Sequence, residues 1–184
     1  AEGVLVVQRM IASRFVPRAL LGTDRRLAEL GDDLRGLAAP FYRVSAEVMA
    51  EAVGFHLNRG VLASASRAPD LSVSEVLHRA RTVAVLEGVN DHENLGSVFR
   101  NAAGLGVDAV VFGSGCADPL YRRDVRESMG HALLVPFARA QEWPQDLKLL
   151  KDSGFHILAM TPDPAAQSLA EAMAQLSDHR VAIL

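Results

Sequence analysis

The chain has 184 residues and a mass of 19.8 kDa, room for one domain or two small ones but not for a large multidomain assembly. With 49% hydrophobic and 22% charged residues and a mean hydropathy of +0.14, a disordered or collagen-like chain is excluded, and no window holds the roughly 18 unbroken apolar residues of a membrane span. The net charge of −3 conceals an asymmetry: residues 1–81 carry eleven arginines against nine acidic residues, and residues 82–184 carry eight basic against thirteen acidic residues.

All basic residues of the first part are arginine, which suits bidentate phosphate contacts, although an arginine-rich composition also follows from a GC-rich genome. The single cysteine, Cys116, cannot form an internal disulfide, and the opening residues lack the basic start and long apolar run of a secretory signal. A reducing cytoplasm is the expected location.

From the N-terminus, the pattern predicts an amphipathic helix over Gly3–Ser13, a strand at Pro17–Leu21, a helix from Asp24 to about Leu34 and a strand near Phe41–Val44. Thr23 or Asp24 is a candidate cap for the second helix, and Ser45 opens a third. The stretch from Gly60 to Arg67 offers a buried strand. Residues 1–67 thus read as a small α/β domain, residues 68–80 as a proline-bearing linker leading into a short helix at Glu75–Arg81, and residues 81–184 as a second domain.

In the second part, the apolar strands Thr82–Val89 and Asp108–Gly113 flank a helix from about Asn94 to Leu105, and further strands are expected at Leu133–Phe137, Phe155–Met160 and Arg180–Leu184. Apolar strands without alternation, separated by helices, imply a parallel sheet covered on both faces, and right-handed crossovers make it an open doubly wound sheet. The chain begins with Ala1 and stops at Leu184 inside what reads as a core strand, so a trimmed form is expected, ending where a binding loop should begin.

Two glycine clusters invite a dinucleotide-binding reading. Gly104 and Gly106 follow a helix and precede a strand, the reverse of the order that places phosphate on a helix N-terminus, and read better as a helix stop. Gly113 and Gly115 follow a strand, but Asp118 replaces the third glycine and would face a pyrophosphate. The six histidines, His56, His78, His92, His131, His156 and His179, show no paired spacing, so no metal site is expected. Ser114 and Ser128 lack the strand–turn–helix elbow of a hydrolase nucleophile.

The densest signal runs from Leu86 to Phe112. There a strand ends in an acidic, Asn-containing loop, and the following helix opens with Asn94 and Gly96 and presents Arg100. Asn94 is a candidate N-cap, Gly96 permits close approach of a backbone or ligand, and Arg100 lies one turn beyond Gly96 on the same helix face. Taken alone, Arg100 is equally well explained as an ion-pair partner of Glu93 or Asp91.

The run Asn94-Leu95-Gly96-Ser97-Val98-Phe99-Arg100-Asn101-Ala102, preceded by Leu86-Glu87-Gly88-Val89, closely resembles the first motif of the SpoU family of RNA ribose 2′-O-methyltransferases, within the SPOUT superfamily. Arg126-Glu127-Ser128-Met129-Gly130 followed by Val135-Pro136 is similar to the second stretch of that family, and Met160-Thr161-Pro162 to its cofactor-side loop. The resemblance covers residues 82–184. Residues 1–67 are similar, more loosely, to the ribosomal-protein-like RNA-binding domain that often precedes the catalytic one.

The resemblance implies an α/β fold in which this small RNA-binding domain is followed by the parallel-sheet α/β-knot methyltransferase domain, here truncated. The glycine-rich loop with Glu and the final Ser-Leu-Asn segment would lie beyond Leu184. It further implies S-adenosylmethionine as cofactor, RNA as partner with ribosomal RNA ahead of transfer RNA, and a homodimer. Catalytic roles fall to Asn94 and Arg100, RNA contacts to Arg9, Arg18 and Arg126, and cofactor contacts to Met160 and Thr161. The competing readings are a non-catalytic RNA-binding homologue lacking the cofactor pocket and a nucleotide-dependent enzyme of ordinary Rossmann type.

Overall fold

The computed structural model describes residues 1–54 and 60–184; His56 lies outside them. In chain order the elements are α1 (Val4–Ile11), β1 (Pro17–Gly22), α2 (Asp24–Leu30), β2 (Phe41–Arg43), α3 (Ala46–Val53), β3 (Val61–Ala65), α4 (Val73–Leu77), β4 (Thr82–Leu86), α5 (His92–Leu105), β5 (Ala109–Phe112), α6 (Arg122–Glu127), β6 (Phe137–Arg139), α7 (Leu147–Asp152), β7 (Phe155–Leu158), α8 (Leu169–Gln175) and β8 (Arg180–Ile183). Short 3₁₀ turns follow α2 at Gly31–Leu34 and α6 at His131–Leu133. The chain forms two compact units, one of residues Ala1–Pro69 with Asp118–Leu134, the other of Asp70–Ala117 with Val135–Leu184. Residues 118–134, which a division at the linker assigns to the second part, therefore group with the first.

In the first unit, β1 pairs parallel with β2 and antiparallel with β3, giving the order β2-β1-β3. Val7 of α1, Leu20, Leu30 and Val61 form its buried centre, with Phe41 and Ala63 packed against them. Gly22 has no room for a side chain: a Cβ there would sit 2.6 Å from the Phe41 ring and 3.2 Å from Val61. Arg67 and Asp118 form an ion pair that ties the end of the first segment to the start of the second. Buried Ser128 donates its hydroxyl to the Val125 carbonyl at 3.1 Å and accepts from the Ala132 amide at 3.3 Å.

The second unit is an all-parallel five-stranded sheet of order β6-β5-β4-β8-β7, as the continuous apolar strands imply. Every residue of β5 is buried. Leu95, Phe99 and Ala102 form the buried stripe of α5, where Phe99 meets Phe112 and Phe137 with ring centroids 6.1 and 5.9 Å away. The segment expected to be a linker contributes to this core instead: Ser72 and Glu75 form a capping box that starts α4, and Val73, Val76, Leu77 and Ala80 join the central cluster. Arg180 fastens this helix by donating to the Ala80 carbonyl at 2.9 Å and to that of Leu77.

Several expected boundaries move: the helix expected at Glu75–Arg81 spans Val73–Leu77, the helix expected to reach about Leu34 ends at Leu30, and the strand expected at Thr82–Val89 ends at Leu86. The strand placed at Leu133–Phe137 runs over Phe137–Arg139, because His131–Leu133 closes a 3₁₀ turn and Pro136 has no N–H for a ladder. The strand expected at Phe155–Met160 ends at Leu158. Helix α5 begins at His92 rather than near Asn94.

Candidate active site

Chain order and strand order diverge between β4 and β8. From β4 the chain steps outward through β5 to β6, then returns on the other side of β4 as β7 and β8. Ligands of open parallel sheets bind beyond the carboxyl ends of strands at such a reversal. Here that edge carries Glu87 and Gly88 after β4, Leu184 after β8, and Ala159, Met160 and Thr161 after β7. The ends of β7 and β8 are locked together, since the Leu184 amide donates to Leu158 at 2.8 Å and the Met160 amide to Leu184 at 2.7 Å. Met160 itself is 57% exposed.

Helix α5 departs from this edge. Its cap is Asp91, whose carboxylate accepts the Asn94 amide at 2.8 Å from an extended backbone. Asp91 therefore takes the N-cap role expected of Asn94: a carboxylate three residues upstream satisfies the orphan amide and faces the positive end of the helix dipole. Asn94 is thereby moved inside the first turn with its side chain exposed. Gly106 ends the helix in the left-handed region, φ 73°, and donates to Ala102, as a glycine stop should.

Arg100 is exposed on α5, and among the described residues it has neither an ion-pair nor a hydrogen-bond partner. The alternative of a pair with Glu93 or Asp91 is thus not realised. No hydrogen bond joins Arg100 to Asn94. At 100° per residue, six positions separate their side chains by about 120° around the axis, so the two line adjoining faces rather than one. An unpaired guanidinium and a free amide on one helix supply donors of the kind that bind phosphate and hydroxyl groups.

The loops around this edge are laced to each other. The Gly88 amide donates to Ser114 at 2.8 Å and the Ala117 amide to Val89 at 3.0 Å, while Arg139 donates to the Ala117 carbonyl at 2.6 Å and covers the Phe112 ring. Cys116, half-buried in the same loop, donates its thiol weakly to the Leu86 carbonyl at 3.3 Å. The Trp143 indole N–H donates to Glu87 at 2.6 Å. Sequence reasoning missed both this contact and the capping role of Asp91; only the latter left a local signal, an Asp three residues before Asn94.

The remaining candidates fall in different places. Met160 and Thr161 lie in the second unit with Asn94 and Arg100, whereas Arg9, Arg18 and Arg126 belong to the first. Arg9 donates to the Met129 carbonyl at 2.5 Å, and Arg126 pairs with Glu127 at 3.0 Å. Arg18 is exposed and has no such partner among the described residues. Beside Arg9, the His131 imidazole is held below its ordinary pKa, first by burial and then by the guanidinium. Among the described residues no group of three metal-ligating side chains is found.

The model of the SpoU rRNA methylase family matches residues 81–184. Over all 184 residues the chain is 72% identical to an uncharacterized tRNA/rRNA methyltransferase of Mycobacterium tuberculosis, of which it covers 64%. It is 35% identical over 83 residues, 45% of its length and 33% of the relative's, to the 23S rRNA (guanosine(2553)-2′-O)-methyltransferase of Bacillus subtilis. The fold matches the AdoMet-bound rRNA methyltransferase of Sinorhizobium meliloti with a TM-score of 0.78 at 17% identity, covering 100% of this chain and 68% of that one. It also matches the SpoU methyltransferase AviRb of Streptomyces viridochromogenes with a TM-score of 0.72 at 17% identity, covering 100% and 79%.

Proposed function

This chain belongs to the SpoU rRNA methylase family, and from that premise we propose that the protein transfers a methyl group from S-adenosylmethionine to a ribose 2′-oxygen of structured RNA, ribosomal RNA ahead of transfer RNA. The observation that carries the reading is Arg100: exposed, unpaired among the described residues, and mounted on the helix that leaves the sheet's carboxyl edge. A surface arginine held for stability alone would be expected to meet a carboxylate, and two, Asp91 and Glu93, lie within nine residues. Neither is used by Arg100.

The residues present fit one wall of a cofactor site. Exposed Met160 and half-buried Leu158 and Leu184 lie at the ends of β7 and β8, followed by Thr161, whose hydroxyl accepts the Asp163 amide at 3.3 Å; the apolar face of an adenosine-bearing molecule would rest against these strand ends. When bound, the cofactor supplies a methyl group on a positively charged sulfur. The O–CH3 bond forms as the S–CH3 bond breaks with release of a neutral thioether, and the hydroxyl proton passes to solvent water. The chain's own residues then have two tasks, to align the ribose hydroxyl with that methyl and to stabilise the charge that develops on oxygen.

Arg100 suits the second task. A guanidinium stays protonated, so it is no general base; it donates from a planar fork to the ribose phosphate and to the developing alkoxide. Asn94, with both a donor and an acceptor free, orients the ribose. In the first unit Arg18 is available to an RNA phosphate, whereas Arg9 and Arg126 would first have to release Met129 and Glu127. Their contribution is therefore ranked behind that of Arg18.

The curated relatives that match over the whole chain are longer, the chain spanning 64% of their length, so the activity belongs to the protein as a whole. A homodimer and a cytoplasmic location complete the reading; among the described residues no helix is long and apolar enough to cross a membrane. The test is to supply methyl-labelled S-adenosylmethionine and ribosomal or transfer RNA, then digest to nucleosides. Label on ribose 2′-oxygens is expected. Label confined to bases would overturn the reading, and RNA binding without any transfer would favour the non-catalytic homologue.

A further inference from the structure

The strand-end loops of the second unit are held by a contact that the transfer chemistry does not itself require. Trp143 lies in the loop between β6 and α7, where the Asp146 carboxylate fixes the backbone by accepting the amides of Gln141 at 2.7 Å and Glu142 at 3.1 Å. The indole rests directly on Gly113, at the end of β5: a Cβ at that position would lie 2.5 Å from the ring, so the fit requires glycine. Its N–H points at Glu87, the first residue beyond β4, and the 2.6 Å bond to the carboxylate is short and charge-assisted. One side chain thus joins the ends of three adjacent strands.

We propose that Trp143 is a positioning residue for the transfer reaction: by packing on Gly113 and holding Glu87, it fixes the loop Glu87–Asp91, from which α5 departs with Asn94 and Arg100. The inference rests on the methyl-transfer reading of that site. Trp143 is the loop's side-chain anchor at the strand end, beside main-chain ties. The loop backbone is tied by the Gly88–Ser114 and Val89–Ala117 bonds, and Gly88 adopts φ 69° at one end of it. Asp91, at its other end, sets the first turn of α5. A tilt of this loop is carried along the helix to Arg100, and misplacement by about 1 Å is enough to slow an aligned reaction up to about 100-fold.

The contact is readable without turnover: Trp143 is the one tryptophan of these 184 residues, and subtracting the Trp143→Phe spectrum isolates its emission in the longer protein. The experiment uses protein expressed over its full reading frame, with Trp143→Phe, Gly113→Ala, Glu87→Ala and Glu87→Gln. The emission maximum of Trp143 is expected to shift in Glu87→Ala and Gly113→Ala and to return toward wild type in Glu87→Gln, which keeps an acceptor oxygen. Identical emission in wild type and Glu87→Ala would overturn the contact itself.

In methyl transfer, Trp143→Phe and Gly113→Ala are expected to lower kcat about tenfold or more with KM for RNA within about twofold, and Glu87→Gln to retain most of kcat. A fall in melting temperature with unchanged kcat for the folded protein would overturn the positioning role. Wild-type protein that transfers no methyl while its emission depends on Glu87 would refute the functional reading and leave the clamp in place as a structural contact.

Discussion

Replacing Asp91 by alanine separates the start of α5 from the rest of the fold. The side chain is exposed, so its removal leaves no cavity; what disappears is the bond from the Asn94 amide to Asp91 at 2.8 Å and a negative charge at the helix's positive end. Removing a cap costs about 1 kcal/mol, and a carboxylate at the first turn contributes roughly 0.3–1 kcal/mol, so Asp91→Ala should cost about 1–2 kcal/mol. Leu95, 0% exposed, pins the helix from the second turn onward, so the effect is expressed as local opening. Amide exchange at Asn94 should accelerate about tenfold, the equivalent of 1.4 kcal/mol, while amides of β5 keep their protection. Asp91→Asn retains a capping oxygen and should recover most of the effect. Unchanged exchange at Asn94 in Asp91→Ala, measured by NMR in parallel with urea unfolding, would refute the assignment of the cap. Equal damage from Asn and Ala would refute its hydrogen-bonding basis.

Other consequences attach to single residues. His131 has its pKa depressed in the folded state by burial and by Arg9, so the folded protein binds fewer protons there than the unfolded chain. This contribution is full above the unfolded value of about 6.5 and is lost as pH falls from there through the lower folded value; urea midpoints should drop as the pH is taken below about 6.5, less so in His131→Gln. Gly22→Ala drives a methyl to 2.6 Å from the Phe41 ring, and calorimetry should show destabilisation by about 1–3 kcal/mol, an unchanged midpoint counting against the close packing of β1 on β2. Arg18→Ala should weaken RNA binding and reduce the log–log salt slope by about 0.7–0.9, the share of a single phosphate, whereas an unaltered slope would remove Arg18 from the interface.

What the sequence made legible was local. The run Ala109–Phe112 is apolar at every position and is buried at every position, and the glycine stop at Gly106 sits where a left-handed residue is needed. The start of α5 was misplaced because two capping residues lie three apart in Asp91-His92-Glu93-Asn94, and only geometry shows that the carboxylate of the first satisfies the amide of the second. Composition counted the arginines of the first part without showing that Arg9 is spent on the Met129 carbonyl. Pairings between distant residues left no periodic trace: Trp143 and Glu87 are 56 positions apart, and residues 118–134 join a unit whose other members end at Pro69. Arg100 was recognisable as a candidate from its motif, but its lack of a partner among the described residues required the structure.

The most direct test of the account is single-turnover methyl transfer to a ribose 2′-oxygen by the full-length protein and by Arg100→Lys, on the same RNA and with saturating S-adenosylmethionine. Lysine keeps the charge and loses the planar fork. The account predicts a rate lowered on the order of 10²–10³-fold, as when a transition-state donor is removed, with the melting temperature unchanged because Arg100 holds no partner among the described residues. A variant that folds normally and transfers methyl at the wild-type rate would contradict it.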